Sequence, residues 1–276
     1  MVNLVVMHKF DSAGVAEKLS WEKPERKDQA GSLVVFGGVG LKLKEINSIF
    51  SSAKTAGASS VVILVPESLA RGFKLSESIL NPVSFNSHFG LTNSGLSKVR
   101  DEFGLGDVLI LADLGRNSET QFKLLNLISH SYKPVIVTSF AAELFSSELD
   151  QLSSNPNITL ILNFPQFQKL YKTLTLKTVN EKNIYPALPP LSTQSLKLKI
   201  KVLATFQTRV AANIILVEEG HVIATSSNKI DGQYLRLDFG KDIERLVSRL
   251  ALWQVWAPGA PLLEQLFMAS SSRKDL

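Results

Sequence analysis

A glycine-rich turn is the first stretch whose residue types suit the binding of a phosphate group. Gly37, Gly38, Val39 and Gly40 lie between an apolar run that predicts a strand and a segment that predicts a helix. Backbone amides at such a junction can approach a phosphate, because the first amides of a helix have no partner within the helix. The turn is not a complete G-x-G-x-x-G motif, and a tight turn that requires positive φ explains the glycines equally well. Both interpretations stay open.

Two polar residues follow later predicted strands. Arg116 comes after the apolar run 108–112, and Asn163 comes after the run 158–162. Ligands of open α/β sheets bind outside the carboxyl ends of the strands, so both residues would lie near a ligand. Arg116 would then contact an anion or simply be exposed to solvent. Asn163 would hydrogen-bond a substrate amide or serve as a turn residue.

Metal and thiol chemistry have little support in the sequence. The chain contains no cysteine, which excludes disulfides, thiolate metal sites and cysteine nucleophiles. Its four histidines are far apart and show no metal-ligand spacing; they are His8, His88, His130 and His221. We therefore predict no protein-bound metal centre.

The elements that must position these turns are clearest between Gly106 and Phe145. The run 108–112 is too short for a helix and apolar throughout, as is typical of a parallel strand covered by helices on both faces. A helix opens at Ser118, and its predicted buried stripe comprises Phe122, Leu124, Leu125, Leu127 and Ile128. A second apolar strand follows at 135–137. Together they predict one right-handed βαβ unit.

The same pattern extends over most of the chain. Further strands are predicted at 4–7, 32–36, 61–65, 158–162 and 213–217, with an antiparallel pair at 222–225 and 234–237. Helices are predicted at 42–56, 94–103, 141–152, 196–210 and 242–256, whereas the rest of 69–105 is read as irregular, with a break at Asn81-Pro82. These elements predict an α/β three-layer sandwich, with a mostly parallel central sheet of about eight strands and helices on both faces.

Domain boundaries and partners follow from composition. We predict an N-terminal extension at 1–30, one α/β domain at 31–257 and a C-terminal tail at 258–276. The apolar centre of the tail predicts contact with a partner subunit, and hence a homo-oligomer. Thirty Lys and Arg against 25 Asp and Glu give a net charge of +5, which suits an anionic ligand such as a nucleotide. The lysines are scattered, so no nucleic-acid partner is expected.

Targeting signals are not evident. Residues 1–7 are apolar but lack the charged start and the length of a signal peptide. No stretch approaches the roughly 18 apolar residues that a membrane span requires. We therefore expect a cytoplasmic protein with no membrane partner.

Four turns carry a resemblance to a known family. The segment 32–38 ends in Gly37-Gly38, and the next strand ends in Pro66-Glu67. A later turn reads Leu114-Gly115-Arg116, and Pro165 and Phe167 follow a further strand. These resemble the NAD(P)H-hydrate dehydratases of the ribokinase-like fold, whose corresponding segments read Gly-Gly-Ser, Thr-Pro-Glu, Gly-Leu-Gly-Arg and Pro-Gly-Glu-Phe. The resemblance covers most of residues 27–256.

This resemblance implies a fold, an activity and a set of site residues. It implies a ribokinase-like sandwich that uses ADP or ATP, with Mg²⁺ as a candidate companion ion, to phosphorylate and then dehydrate NAD(P)H hydrate, a lyase activity. Asp242 falls where the family has its catalytic base, in the segment that corresponds to Gly-Gly-Ser-Gly-Asp. The cofactor-binding residues that the resemblance and the turns suggest are Gly37, Gly38, Gly40, Gly115, Asn163, Gly240 and Lys241.

Several departures from the family support a second hypothesis, a catalytically inactive pseudoenzyme that acts as a binding or oligomeric partner. Thr138 and Phe140 replace two acidic residues, and Phe164 replaces a histidine. Glu218-Glu219 replace a lysine-containing turn, so their charges would repel phosphates. Asp242 is also an ordinary helix N-cap residue, and Lys241 is either a point charge on phosphate or a solvated lysine. A kinase that phosphorylates a small alcohol is a third hypothesis.

Overall fold

The computed structural model describes residues 6–39, 43–70, 79–178, 196–218, 220–226, 231–238 and 243–271. Its strands, in chain order, are β1 (Val6–Lys9), β2 (Ser32–Phe36), β3 (Ser60–Pro66), β4 (Leu80–Val83), β5 (Val108–Leu111), β6 (Val135–Val137), β7 (Ile158–Asn163), β8 (Asn213–Glu218), β9 (His221–Thr225) and β10 (Asp231–Asp238). Its helices are α1 (Val15–Ser20), α2 (Leu43–Ala56), α3 (Glu67–Ala70), α4 (Asn93–Leu105), α5 (Ser118–Ile128), α6 (Ser139–Leu144), α7 (Leu149–Leu152), α8 (Phe164–Thr178), α9 (Leu196–Gln207), α10 (Ile243–Trp256) and α11 (Leu262–Ser270).

The described strands form one sheet of ten, in the order β1-β10-β9-β8-β7-β6-β5-β2-β3-β4. All neighbours are parallel except at β9, which runs antiparallel to both β8 and β10. The chain proceeds from β2 outward through β3 to β4, and then returns to place β5 on the other side of β2. The direction of winding therefore reverses between β2 and β5. The predicted mostly parallel α/β sheet is confirmed.

Both faces of the sheet are covered, which explains the continuous apolar runs. Every side chain of β5 is fully buried. Alternate residues of this strand point to opposite faces: Leu109 and Leu111 pack in one core with α4, α5, α6, α8 and α9, whereas Val108 and Ile110 pack in the other with α1, α2, α10 and α11. The molecule is thus the predicted three-layer sandwich.

Strand β4 is a strand that the sequence analysis does not predict, as it also does not predict the helices α1, α3, α8 and α11. Residues Leu80–Val83 pair in parallel with β3 and form one edge of the sheet. The expected break at Asn81-Pro82 is wrong, because proline is tolerated where its missing N–H is not needed by a neighbouring strand, as on an edge. The helix expected at 94–103 is confirmed as α4.

Two helical predictions need correction. The segment 141–152 is not one helix but two, α6 and α7, separated by a turn that contains the fully buried Phe145. On α5, Phe122 is 66% exposed, whereas Leu124 and Ile128 are fully buried. Thr120 instead begins the buried stripe, and Phe122 lies about 200° around the helix from it. The side chain of Thr120 accepts a hydrogen bond from the Leu91 amide at 2.9 Å, so a polar residue serves as an anchor on this face.

The two ends of the described chain join the same body. Strand β1 pairs in parallel with β10. Residues 262–270, within the predicted tail, form α11, whose Leu263, Leu266 and Met268 are buried in the core shared with α10. Lys18 of α1 pairs with Glu264 of α11 at 2.8 Å. The apolar residues of the tail therefore contact the chain's own core, and the homo-oligomer stays a prediction.

In the part of the chain that the structure describes, no helix is both long enough and apolar enough to cross a bilayer.

Truncation of the central strand should cost much more than truncation on the surface. We expect Leu109→Ala to lower the free energy of unfolding by about 2–5 kcal/mol, because the side chain is fully buried and its loss leaves a cavity. Leu105→Ala is the matched control: Leu105 is 83% exposed, so its change should stay within about 0.5 kcal/mol. Urea unfolding of both variants measures the difference, and equal costs would contradict the assigned burial.

Candidate functional site

Two turns meet at the carboxyl edge of the sheet, where the winding reverses. The turn after β2 contains Gly37, Gly38 and Val39, and the turn after β5 contains Asp113. The Val39 amide donates to the Asp113 carbonyl oxygen at 3.0 Å, and the Ala112 amide donates to Phe36 at 2.9 Å. These bonds hold the two turns side by side. A reversal of winding in an open α/β sheet creates a crevice outside the carboxyl ends of the strands.

Glycine is required at both positions of the first turn. A Cβ at Gly37 would lie 3.0 Å from the Ala112 Cβ and 3.1 Å from the Asp113 amide nitrogen. Gly38 has φ +82°, and Gly115 of the second turn has φ +68°, a region that favours glycine. The tight-turn interpretation therefore holds for Gly37 and Gly38, and their backbone lies at the predicted ligand edge. Gly40 lies outside the described residues.

Asp113 is a buried carboxyl group that the sequence analysis does not single out. It is only 7% exposed and directly follows the apolar run of β5. An acidic residue placed immediately after a buried strand is itself a signal for the ligand edge, because the carboxyl ends of neighbouring parallel strands share that edge.

Asn163 has a structural partner at the end of β7. Its side-chain oxygen accepts from the Gln166 amide at 3.0 Å, and the Gln166 side-chain oxygen accepts from the Asn163 amide at 3.0 Å. This reciprocal pair is a capping box at the start of α8. Gln166 also donates to the Ser139 carbonyl oxygen at 2.6 Å, which ties α8 to α6. The capping box supports the turn role of Asn163, and its contact with a substrate stays a prediction.

A buried ion pair lies at the ends of β7 and β8. The Lys199 ammonium is 2.5 Å from a Glu218 carboxylate oxygen and 4.3 Å from the centre of the Phe164 ring. The side chains of Lys199 and Glu218 are 8% and 27% exposed. The charge that Glu218 brings to this edge is therefore balanced by a cation from α9. The sequence analysis missed Lys199, because nothing in a single sequence pairs residues 19 positions apart across two elements.

Arg116 is exposed at the same edge. Its guanidinium donates to Glu143 at 2.9 Å, and its side chain is 80% exposed. An exposed pair of this kind adds roughly 0–1 kcal/mol. The exposed interpretation of Arg116 therefore fits the structure.

Glu119, in the first turn of α5, has a carboxyl group whose pKa is lowered. The Lys123 ammonium donates to Glu119 at 2.6 Å, and its hydrogen bond and positive charge lower the pKa of the Glu119 carboxyl. Asn86 donates to the other oxygen at 3.1 Å. Because the pKa is depressed in the folded state, the stability that this contact contributes is present above the unfolded pKa and is lost as the pH falls through the folded pKa. The contact fastens the loop before α4 to the start of α5.

The described residues do not form a magnesium cage. Among them, no group of three or more histidine or acidic residues is arranged to hold a metal ion. Mg²⁺ in nucleotide sites is commonly held by one or two carboxylates together with substrate phosphates and water.

The last helix bears on the catalytic assignment. Gly240, Lys241 and Asp242 lie outside the described residues. Strand β10 is parallel to β8, so it ends, at Asp238, at the carboxyl edge. Helix α10 follows it and ends at the opposite edge, where Trp256 donates to the Ala30 carbonyl oxygen at 2.9 Å. The roles of Asp242, Gly240 and Lys241 stay predictions.

The first turn should not tolerate a side chain. We expect Gly38→Ala to destabilise the protein by about 1–3 kcal/mol, because alanine is strained at a positive φ. Gly104→Ala in α4 is the control, since nothing lies within 4 Å of the added Cβ; it should gain up to about 1 kcal/mol. Thermal unfolding compares the two variants. Equal stability would contradict the turn geometry.

The buried pair should be sensitive to loss of one charge. We expect Glu218→Gln to lower the free energy of unfolding by about 3 kcal/mol, because the buried Lys199 ammonium loses its counter-charge. Glu143→Gln removes the charge of the exposed pair with Arg116 and should cost no more than about 1 kcal/mol. Denaturant unfolding measures both costs, and a smaller loss for Glu218→Gln than for Glu143→Gln would refute the assignment.

Comparisons with known proteins identify similar folds but no similar sequences. No protein-family model and no curated protein sequence matches the chain. Solved structures do match. A ribokinase-like superfamily protein from Enterococcus faecalis superimposes with a TM-score of 0.64 at 15% identity, over 95% of this chain and 84% of that one. The ADP/ATP-dependent NAD(P)H-hydrate dehydratase from Bacillus subtilis, co-crystallised with ATP/Mg²⁺, superimposes with a TM-score of 0.59 at 12% identity, over 98% and 87%.

A third match comes from a kinase. An ADP complex of Bacillus subtilis pyridoxal kinase superimposes with a TM-score of 0.52 at 10% identity, over 87% of this chain and 88% of that one. At these identities the similarity is one of fold. It confirms the expected likeness to the NAD(P)H-hydrate dehydratases as a structural one. This chain has the ribokinase-like fold.

Proposed function

We propose that this chain is a divergent protein of the ADP/ATP-dependent NAD(P)H-hydrate dehydratase type, which binds an adenine nucleotide at the carboxyl ends of its strands. One observation carries the proposal: the turns after β2 and β5 adjoin where the winding reverses, through the 3.0 Å bond from Val39 to Asp113. Nucleotides bind at such switch points in doubly wound folds. Two proteins of similar fold support it, one co-crystallised with ATP/Mg²⁺ and one solved as an ADP complex.

The charge distribution at this edge is compatible with a phosphate ligand. The Glu218 carboxylate would repel phosphates if it were unpaired, but its contact with the Lys199 ammonium balances it. Backbone amides of glycine turns bind phosphate in other proteins. Here the amides of Gly37 and Val39 donate to the carbonyl oxygens of Leu64 and Asp113, which leaves the Gly38 amide as the candidate donor in the described part of the turn. The overall charge of +5 also favours an anionic ligand.

The proposed reaction uses Asp242 as the base. Its carboxylate accepts the proton of the hydroxyl group on the hydrated nicotinamide ring, and that oxygen attacks the terminal phosphorus of the nucleotide. ADP is the leaving group when ATP is the donor, and AMP is the leaving group when ADP is the donor. Phosphate then leaves the phosphorylated ring together with a proton from the adjacent ring carbon, which restores the double bond of the dihydronicotinamide ring. Positioned general bases typically contribute about 10²–10⁴ in rate.

A pseudoenzyme is the second candidate, because two of the three departures at this edge carry structural roles. Thr138 caps α6 by accepting from the Ala141 amide at 3.5 Å, and Phe164 packs against the Lys199 ammonium. The third, Phe140, is 41% exposed. The family that the sequence resembles has acidic residues at the positions of Thr138 and Phe140 and a histidine at that of Phe164. In this hypothesis the scaffold is kept for binding alone.

Activity measurement distinguishes the two candidates. We expect ADP- or ATP-dependent loss of hydrated NADH by the full chain, and a drop of at least about 100-fold in Asp242→Ala, because alanine removes the carboxylate that takes the hydroxyl proton. The rate is followed by the return of the reduced nicotinamide absorbance. Calorimetric titration with ADP, ATP and NADH runs in parallel.

Asp242→Asn provides the matched control. Asparagine is as good an N-cap as aspartate but is no base, so this variant should keep the thermal stability and lose the activity. Full activity in Asp242→Ala would exclude the assigned base. Nucleotide binding without turnover would favour the pseudoenzyme, and no heat with any of the three ligands would refute nucleotide binding itself.

A further inference from the structure

A short hairpin between β4 and α4 lies at the carboxyl edge of the sheet. We call residues 85–91 the edge hairpin; its two arms meet in an antiparallel bridge between Phe85 and Leu91. It follows the end of β4, which is parallel to β3, so it starts at the carboxyl edge. The Phe85 ring packs against Phe36, the last residue of β2, with ring centroids 6.3 Å apart. The edge hairpin therefore contacts the residue that directly precedes Gly37.

The turn after β5 contacts the tip of the edge hairpin. The Asn117 side-chain nitrogen donates to the His88 carbonyl oxygen at 3.1 Å, and Asn117 is the N-cap residue of α5. Asn117 lies two positions beyond Gly115, so their Cα atoms are at most about 7 Å apart. The edge hairpin is thus held by residues next to both turns of the proposed nucleotide site.

Phe89, at the tip of the edge hairpin, has a backbone conformation that phenylalanine rarely adopts. Its φ is +57°, and no other non-glycine residue in the described ranges has a positive φ. The Phe89 amide donates to the Asn86 carbonyl oxygen at 3.1 Å, and the Asn86 amide donates to the Gly90 carbonyl oxygen at 2.8 Å. These bonds define a three-residue hairpin loop, whose last residue takes the left-handed conformation that suits glycine. Phenylalanine at this position therefore strains the backbone.

The surrounding contacts maintain this strain, although the Phe89 ring itself is not packed. The Asn86 side-chain oxygen accepts from the amides of His88 and Gly90 at 3.0 and 2.8 Å. The Asn86 side-chain nitrogen donates to Glu119 of α5 at 3.1 Å. The Phe89 side chain is nevertheless 54% exposed, so burial does not explain a phenyl group here. Strain that the surrounding structure enforces is typical of ligand-binding positions.

We propose that Phe89 stacks on the planar heterocyclic ring of the nucleotide that binds at this edge. The inference rests on the proposed nucleotide site, because residues next to both of its turns contact the edge hairpin. A nucleotide with its phosphates at Gly38 extends far enough to bring its ring to the hairpin. Stacking on an aromatic side chain suits any such ring, since each has a π-face. The fixed loop also reduces the entropy that binding costs.

Replacement of Phe89 distinguishes stacking from a structural role. Phe89→Gly should not lower the midpoint of thermal unfolding, because glycine adopts the positive φ without strain. The same variant should bind ADP, ATP or NADH at least about fivefold more weakly, because the stacked ring is lost. Phe89→Asn also tolerates this φ and should reproduce both effects. Phe89→Tyr keeps the ring and should keep the wild-type affinity. Calorimetric titration of the full chain measures each affinity.

Tyr132→Ala is the matched control, because Tyr132 is an 82% exposed aromatic residue that precedes β6, at the opposite edge. It should leave all three affinities unchanged. Weaker binding of ADP and ATP by Phe89→Gly assigns adenine as the stacked ring, and weaker binding of NADH alone assigns nicotinamide.

Two results overturn the stacking role and leave the nucleotide site intact. One is wild-type affinity of Phe89→Gly for all three ligands, and the other is marked destabilisation by both Phe89→Gly and Phe89→Asn. A wild-type chain that binds none of the three ligands refutes the nucleotide site, and the stacking role with it.

Discussion

The contact between the turns after β2 and β5 is the constraint on which the rest of the structure depends. The chain reverses its winding there, and the backbone of Gly37 comes so close to Ala112 and Asp113 that a Cβ would lie only 3.0 Å from its neighbour. Any side chain would separate the turns and with them the buried ends of two strands. The same closeness that requires glycine for packing brings the backbone of the turn to the edge where ligands of this architecture bind. Structural and functional explanations of Gly37 and Gly38 therefore do not compete.

Charge at this edge is arranged differently from what the linear sequence suggests. The Glu218 carboxylate alone would repel phosphate. However, the Lys199 ammonium of α9 lies 2.5 Å from a Glu218 carboxylate oxygen and above the ring of Phe164. A buried ion pair is weak evidence for stability, but removal of one member would leave an uncompensated charge. Phe164 and Glu218, at two positions where this chain departs from the family that its sequence resembles, thus form a packed group with Lys199. This arrangement is compatible with either a divergent enzyme or a binding protein.

The opposite edge of the sheet carries a cleft of about 620 Å³, whose described wall residues are uncharged and carry no sequence motif. Thr225 ends an antiparallel strand and Gln254 lies near the end of α10, and both residues line this cleft. Only the tertiary structure brings these loops and element ends together. The two edges together describe a scaffold whose carboxyl side is organised by glycine turns and whose amino side is organised by loops rich in proline and amide side chains.

The sequence by itself determined the sandwich: the doubly apolar run of β5, most of the strands and helices along the chain, and the positions of the turns at Gly37 and Gly115 follow from local periodicity and from glycine's conformational freedom. Two predictions for single residues are wrong. Phe122 lies on the exposed side of α5, and Pro82 belongs to an edge strand where the local sequence pattern predicts a break. Only the tertiary structure decided that Lys199 neutralises Glu218, that Gln166 caps with Asn163, and that Thr225 and Gln254 share a cleft. These contacts join residues from different elements, and their energies depend on distance and burial, which no single-sequence periodicity encodes.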